Sequence, residues 1–142
     1  MRDVAQLIAA VKSSDSALAE PASRDLRKLA ISDPSSVQSL SKDILNLVMV
    51  CPDLRIRGNL IIVLGELPFS RVQRAAAVDW LLERVCDASP LTRTFALQSL
   101  MDLSAKDPSL RRRVLTIAAE FAENGTAAMR ARARKLLKSA QT

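Results

Sequence analysis

Arg57-Gly-Asn-Leu-Ile-Ile-Val-Leu-Gly-Glu-Leu67 decides the fold. Arg57 stands near the start of a helix, apolar residues recur three and four apart, and Gly65 lies close to the end. Ile61-Ile-Val-Leu64 could pass for a buried strand. The surrounding apolar period of 3.6 continues for more than ten residues, so the stretch reads as helix.

Period and punctuation on either side predict seven more helices. The first spans about 2–12 and ends at Ser13-Ser14-Asp15. The second spans about 18–31, with Pro21 in or near its first turn, or kinking it. Asp33-Pro34 opens a third over about 35–50, because Asp is a good N-cap and Pro a good first helical residue. Cys51-Pro52-Asp53 precedes the Arg57 helix, about 54–66, which Pro68 closes. A fifth follows over about 70–85. Ser89-Pro90 opens the sixth and Asp107-Pro108 the seventh. Asn124-Gly125 reads as a left-handed C-terminal cap, and a basic eighth helix spans about 127–139.

The motif helix repeats. Ala19, Arg57, Arg93 and Arg130 occupy one position, at steps of 38, 36 and 37 residues. Three residues on stand Ala22, Leu60, Ala96 and Ala133. Seven on stand Leu26, Leu64, Leu100 and Leu137, and ten on stand Leu29, Leu67, Leu103 and Ala140. Any amphipathic helix shows such spacing, but the fixed interval and the matching Asp-Pro boundaries favour a repeat. A two-helix unit of about 37 residues implies a stacked α-solenoid.

Arg57-x-x-Leu60-x-x-Val63-Leu64-Gly65-x-Leu67 and Arg93-x-x-Ala96-x-x-Ser99-Leu100-x-x-Leu103 resemble the first helix of the HEAT-repeat family. The resemblance covers about residues 16–140. It implies an all-α, right-handed α-α superhelix of about four HEAT-like hairpins, about eight helices in one domain over 1–142. The copies fall at about 16–51, 52–88, 89–124 and 125–140, with helix 2–12 as an N-terminal cap. The first copy lacks the Arg and the last keeps one helix, as capping elements would. The tetratricopeptide alternative lacks its Trp-Leu-Gly-Tyr positions.

Composition narrows the chemistry. The chain has no His and no Tyr, so a Ser–His or Cys–His nucleophile is excluded. Asp79 and Glu83, one helix turn apart, are better read as a solvated face than as a catalytic pair. No phosphate-binding Gly loop, cofactor motif or metal site can be placed. Cys51 and Cys86 lie at the ends of helices in adjacent copies. Stacked helices sit about 8–10 Å apart, beyond the Cα reach of about 7 Å that a disulfide tolerates. Two buried or half-buried thiols in a reducing compartment, the cytosol, are expected. The N-terminus is too short and polar for a signal peptide, and no run of apolar residues suits a membrane span.

The net charge is +6, and residues 72–142 carry most of it, with twelve Lys/Arg against seven Asp/Glu. Arg111-Arg112-Arg113 and the set Arg130, Arg132, Arg134, Lys135 and Lys138 are the basic clusters. They are either a solvated face or phosphate contacts for nucleic acid.

Aligning Ile44, Leu47 and Val48 with Val78, Leu81 and Leu82, and with Val114, Ile117 and Ala118, sets Trp80 level with Asn46 and Thr116. In that register Trp80 faces out of the core, near Gln73, Arg84, Lys42, Arg112 and Arg113. A Trp ringed by cations suits an acidic or phosphorylated partner. The competing view folds Trp80 into the gap between hairpins. The expected function is a non-enzymatic scaffold holding a protein or peptide in the groove of the second helices. A nucleic-acid binder using the basic half, or a lyase-like enzyme subunit of the HEAT type, is the alternative.

Overall fold

The computed structural model describes residues 3–141, and these form an all-α fold with no strand. In chain order the helices are α1 (Val4–Val11), α2 (Ser16–Ser32), a 3-10 segment (Pro34–Leu40), α3 (Ser41–Val50), α4 (Leu54–Glu66), α5 (Arg71–Arg84), α6 (Pro90–Leu103), α7 (Pro108–Asn124) and α8 (Ala127–Ala140).

Side-chain caps set most of the starts. Asp3 with Gln6 and Ser70 with Gln73 form reciprocal capping boxes. Asp15, Asp53, Ser89, Asp107 and Thr126 each accept an N–H of the following first turn. Such a cap contributes about 1 kcal/mol. Pro90 and Pro108 occupy the first helical position, as their Ser-Pro and Asp-Pro dipeptides predict.

Two expectations need correction, and a third lies out of reach. The third helix does not run unbroken from residue 35. Its first part is the 3-10 segment, where Ser36 Oγ donates to Asp33 O at 2.8 Å and Ser41 Oγ donates to Gln38 O at 2.7 Å. These serines offer the backbone local partners that compete with α-helix. Gly125 is not left-handed: its φ is −78° and its ψ 175°. It is needed for room, since a Cβ there would stand 2.7 Å from Phe121 O and 2.8 Å from Met129 Cβ. The predicted helix start at Arg2 lies outside the described residues.

The four motif helices stack in one row: α2 on α4, α4 on α6 and α6 on α8, with α1 covering α2. Helices α3, α5 and α7 make a second layer. Two glycines bring α4 and α6 together. A Cβ on Gly58 would meet the Phe95 ring at 2.7 Å, and one on Gly65 would meet Ser99 Cα and Asp102 Oδ2 at 3.1 Å. Gly58 and Gly65 are seven residues apart, as are Phe95 and Asp102, so two holes receive two knobs. The largest helix–helix contact in the fold is this one.

The repeat register holds in the core. Ala22, Leu60, Ala96 and Ala133 are fully buried, as are Leu26, Leu64 and Leu100. Leu137 is half-buried. A repeat has no intrinsic frame. Here α5 packs on α6 more than on α4, and α7 packs on α8 more than on α6, so contact alone pairs α5 with α6 and α7 with α8. Truncating Leu64 or Leu100 to Ala should cost about 2–5 kcal/mol in urea unfolding, and Leu137→Ala clearly less. Equal losses at all three would contradict the register.

Candidate functional site

The sequence placed a partner site on the second layer. Lys42, Asn46, Arg112, Arg113 and Thr116 are indeed exposed, and Trp80, Gln73 and Arg84 are half-exposed. The register of α5 differs from the expected one. Its buried stripe is Ala77, Leu81 and Val85, which matches Ile44 and Val48 on α3 and Val114 and Ala118 on α7. Trp80 therefore corresponds to Leu47 and Ile117, and all three are partly buried against the core. The residue level with Asn46 and Thr116 is Asp79.

The neighbours of Trp80 have local roles. The Arg84 guanidinium lies 5.3 Å from the Trp80 ring centroid and pairs with Asp87 at 3.5 Å and Glu83 at 3.3 Å. Asp87 also takes the motif residue Arg57 at 3.6 Å, and Arg57 Nη2 donates to Thr92 Oγ1 at 2.9 Å. Trp80 and Arg84 thus close the α5–α6 turn over α4. Gln73 is engaged in its capping box. No hydrogen bond or ion pair among the described residues joins Trp80 to Lys42, Asn46, Arg112, Arg113 or Thr116. Trp80→Ala should cost about 1–3 kcal/mol, less than a fully buried aromatic. Its loss should remove an indole emission maximum intermediate between buried and exposed; a fully exposed maximum in the unmutated protein would contradict this packing.

A more connected arrangement covers the outer face of the motif-helix row. From α2, Arg27 reaches across α4: its Nη1 donates to Asn59 Oδ1 at 3.3 Å, and its guanidinium carbon lies 5.4 Å from the Phe95 ring centroid on α6. Asn59 Nδ2 donates to Ser23 Oγ at 3.0 Å, which returns the chain of contacts to α2. From α8, Arg132 Nη1 donates to Gln98 Oε1 at 2.8 Å, and Gln98 Nε2 donates to Asp102 Oδ1 at 3.1 Å. These are two separate sets of contacts, one joining α2 and α4 with Phe95 of α6 and one joining α6 with α8, and together they make a polar strip along the row.

Two adjoining clefts lie between α6 and α8 on this face. One, of about 570 Å³, is lined by Pro90, Leu91, Phe95 and Ala131, with Arg132 and Lys135 at its edge. The other, of about 600 Å³, brings Glu66 and Asp102 opposite Arg111, Lys135 and Ser139. The first offers an apolar seat and the second a pair of opposed charges. Sequence reasoning missed Arg27, Asn59, Gln98 and Asp102. The signal available was their period: Asn59, Phe95 and Arg132 share one repeat position, and Glu66, Asp102 and Ser139 another.

Burial pushes the Asp102 carboxyl up to about 6, with Glu66 adding to the rise and Gln98 and Arg132 opposing it. Burial also raises Glu66. Burial, and then Arg132, lowers Arg27, so the two cations on either side of Phe95 feel one another. The fold therefore favours protonated Asp102. That contribution is complete below the ordinary carboxylate value and is lost as pH rises through about 6. Asp102→Asn should raise the melting temperature at pH 8, and the gain should shrink toward pH 4. Solvent screening at this half-exposed site limits the gain to about 1 kcal/mol. A gain independent of pH would refute the charge account.

The basic residues predicted for nucleic acid divide into two groups. Arg132 is tied to Gln98, and Lys135 edges both clefts. Arg130, Arg134 and Lys138 are exposed on another side of α8. Cys51 is half-buried and desolvation raises its thiol, whereas Cys86 is exposed, contrary to the expectation of two covered thiols. Both are free. Among the described residues no group of three His, Cys, Asp or Glu could hold a metal, and no helix is long and apolar enough to cross a membrane. Compared with known proteins, the chain matches no family model, no curated protein and no solved structure.

Proposed function

We propose that this protein is a non-enzymatic, HEAT-like helical-repeat module that binds a segment of another protein, and that the binding face is the row of motif helices. The polar strip from Arg27 to Asp102, flanked by an apolar cleft and a charged one, carries this reading. It differs from the groove of second helices in its reach: contacts along it involve all four motif helices, whereas Trp80 and Arg84 are tied to the α5–α6 turn and, among the described residues, Lys42, Asn46, Arg112, Arg113 and Thr116 are not joined to them.

The packing supports the same face. Consecutive motif helices touch along the row, while α3 and α5 touch little and α5 and α7 less. A row of helices in mutual contact offers a continuous surface, and solenoids bind partners on such extended surfaces. The apolar seat at Leu91 and Phe95 suits one anchoring side chain. Glu66 and Asp102 beside Lys135 and Arg111 suit a segment carrying both signs of charge.

A displayed-peptide selection on the immobilised protein tests this. Selected peptides should bind Leu91→Asp or Lys135→Glu at least about tenfold more weakly, a loss of about 1.4 kcal/mol. They should be indifferent to Asn46→Lys and Thr116→Lys, with melting temperatures kept throughout. Loss confined to the Asn46 and Thr116 variants would return the site to the second layer. Selection of no peptide at all would remove the reading.

A further inference from the structure

The chain's net charge is not spread over the fold. Residues 1–107 carry thirteen Lys/Arg and thirteen Asp/Glu, and so are neutral. Helices α7 and α8 carry eight Lys/Arg against Glu120 and Glu123, an excess of six that equals the charge of the whole chain. The α7–α8 pair therefore holds all of it.

The placement is specific. In α4 and α6, Ile61 and Leu97 share one repeat position and are fully buried. Arg134 holds that repeat position in α8, and Lys138 holds the position of Gly65 and Met101. Both positions are exposed in α8, in place of the buried or half-buried residues of α4 and α6. Polarity alone would be met by mixed signs. Instead Arg130, Arg134 and Lys138 run at four-residue intervals, all exposed, a spacing at which like charges repel. Arg111, Arg112 and Arg113 follow one another in the second turn of α7, with no acid in that helix before Glu120 to offset them. The α7–α8 turn is two residues long, so that end of α7 lies beside the last turns of α8. Arg111 and Lys135 line one cleft there.

We propose that the exposed ridge of Arg130, Arg134 and Lys138, extended by Arg112 and Arg113, is a second binding surface that takes the phosphate backbone of double-stranded nucleic acid. This surface is separate from the motif-helix face and does not rest on it. Along α8 the three cations span about 12 Å, at the helical rise of about 1.5 Å per residue. A duplex strand presents a charge about every 3.4 Å along its axis, so several phosphates fall within that span. Four of the five ridge residues are Arg, whose planar fork matches phosphate oxygens. The exposed large hydrophobic residues of the fold all lie outside α7 and α8, which leaves the ridge no apolar anchor for a bilayer or a protein hot spot. The one aromatic of this hairpin, Phe121, is buried. Without a stacking platform the surface suits a duplex backbone better than unpaired bases.

Fluorescence anisotropy with a labelled duplex of about 20 base pairs, titrated with salt, tests the proposal. Binding should weaken linearly in log salt with a slope of about −4, the value for four to five neutralised phosphates. The triple variant Arg130→Gln, Arg134→Gln, Lys138→Gln should reduce that slope by about 3. An equal removal of charge elsewhere, Lys12→Gln, Arg24→Gln, Lys42→Gln, should leave it nearly unchanged. All substituted sites are exposed, and circular dichroism should show equal helicity. No duplex binding at low salt, or equal effects of the two triples, overturns the proposal. Tighter binding to anionic vesicles overturns it in favour of a membrane surface, and tighter binding to polyglutamate in favour of an acidic protein.

Discussion

The close approach of α4 and α6 underlies the rest of the structure. Gly58 and Gly65 remove two side chains from α4 where Phe95 and Asp102 of α6 enter. With the helices that near, Leu60, Leu64, Ala96 and Leu100 lose all contact with water. The same nearness lets Arg27 extend from α2 over α4 and still reach the Phe95 ring. A bulkier residue at position 58 would displace that ring, and with it the cation above. Core packing and the polar strip are therefore two consequences of one missing pair of side chains.

Asp102 shows how that constraint reaches chemistry. Seated against Gly65 and facing Glu66, its carboxyl loses hydration and meets a second acid. Gln98 passes a hydrogen bond from Arg132 to it, which offsets part of the cost. Burial, a like charge and an opposed charge thus act on one group, and burial dominates. Part of the desolvation of this carboxyl is thus already imposed by the fold itself.

Much of the architecture could be read in advance because it rests on local signals. Ser89-Pro90 and Asp107-Pro108 begin helices where their chemistry says they should, and the Leu64 and Leu100 positions are buried as the repeat requires. Helix α5 was legible only in outline. Ala75-Ala-Ala-Val-Asp-Trp-Leu-Leu82 has apolar residues around most of its circumference, so two stripes one residue apart fit equally well. The true one needs the neighbouring helices. The site was less legible still. Arg27 and Asn59 are thirty-two residues apart, and Arg132 and Gln98 thirty-four, and nothing in either local stretch marks the partner. Gly125 looked like a left-handed cap because Asn-Gly favours one, yet what it answers is a steric demand from Phe121 and Met129.

The two layers are unequal in how firmly each is knit. Motif helices touch their successors all along the row, whereas α5 and α7 scarcely meet. Mechanically, the row is a spine and the second layer a set of ribs hinged upon it. Bending that fans the ribs apart breaks few contacts, while bending that opens the spine must part α4 from α6. Fewer contacts thus oppose a fanning of the second layer than a parting of the row, and such fanning would leave the spacing of Arg27, Phe95 and Asp102 unchanged.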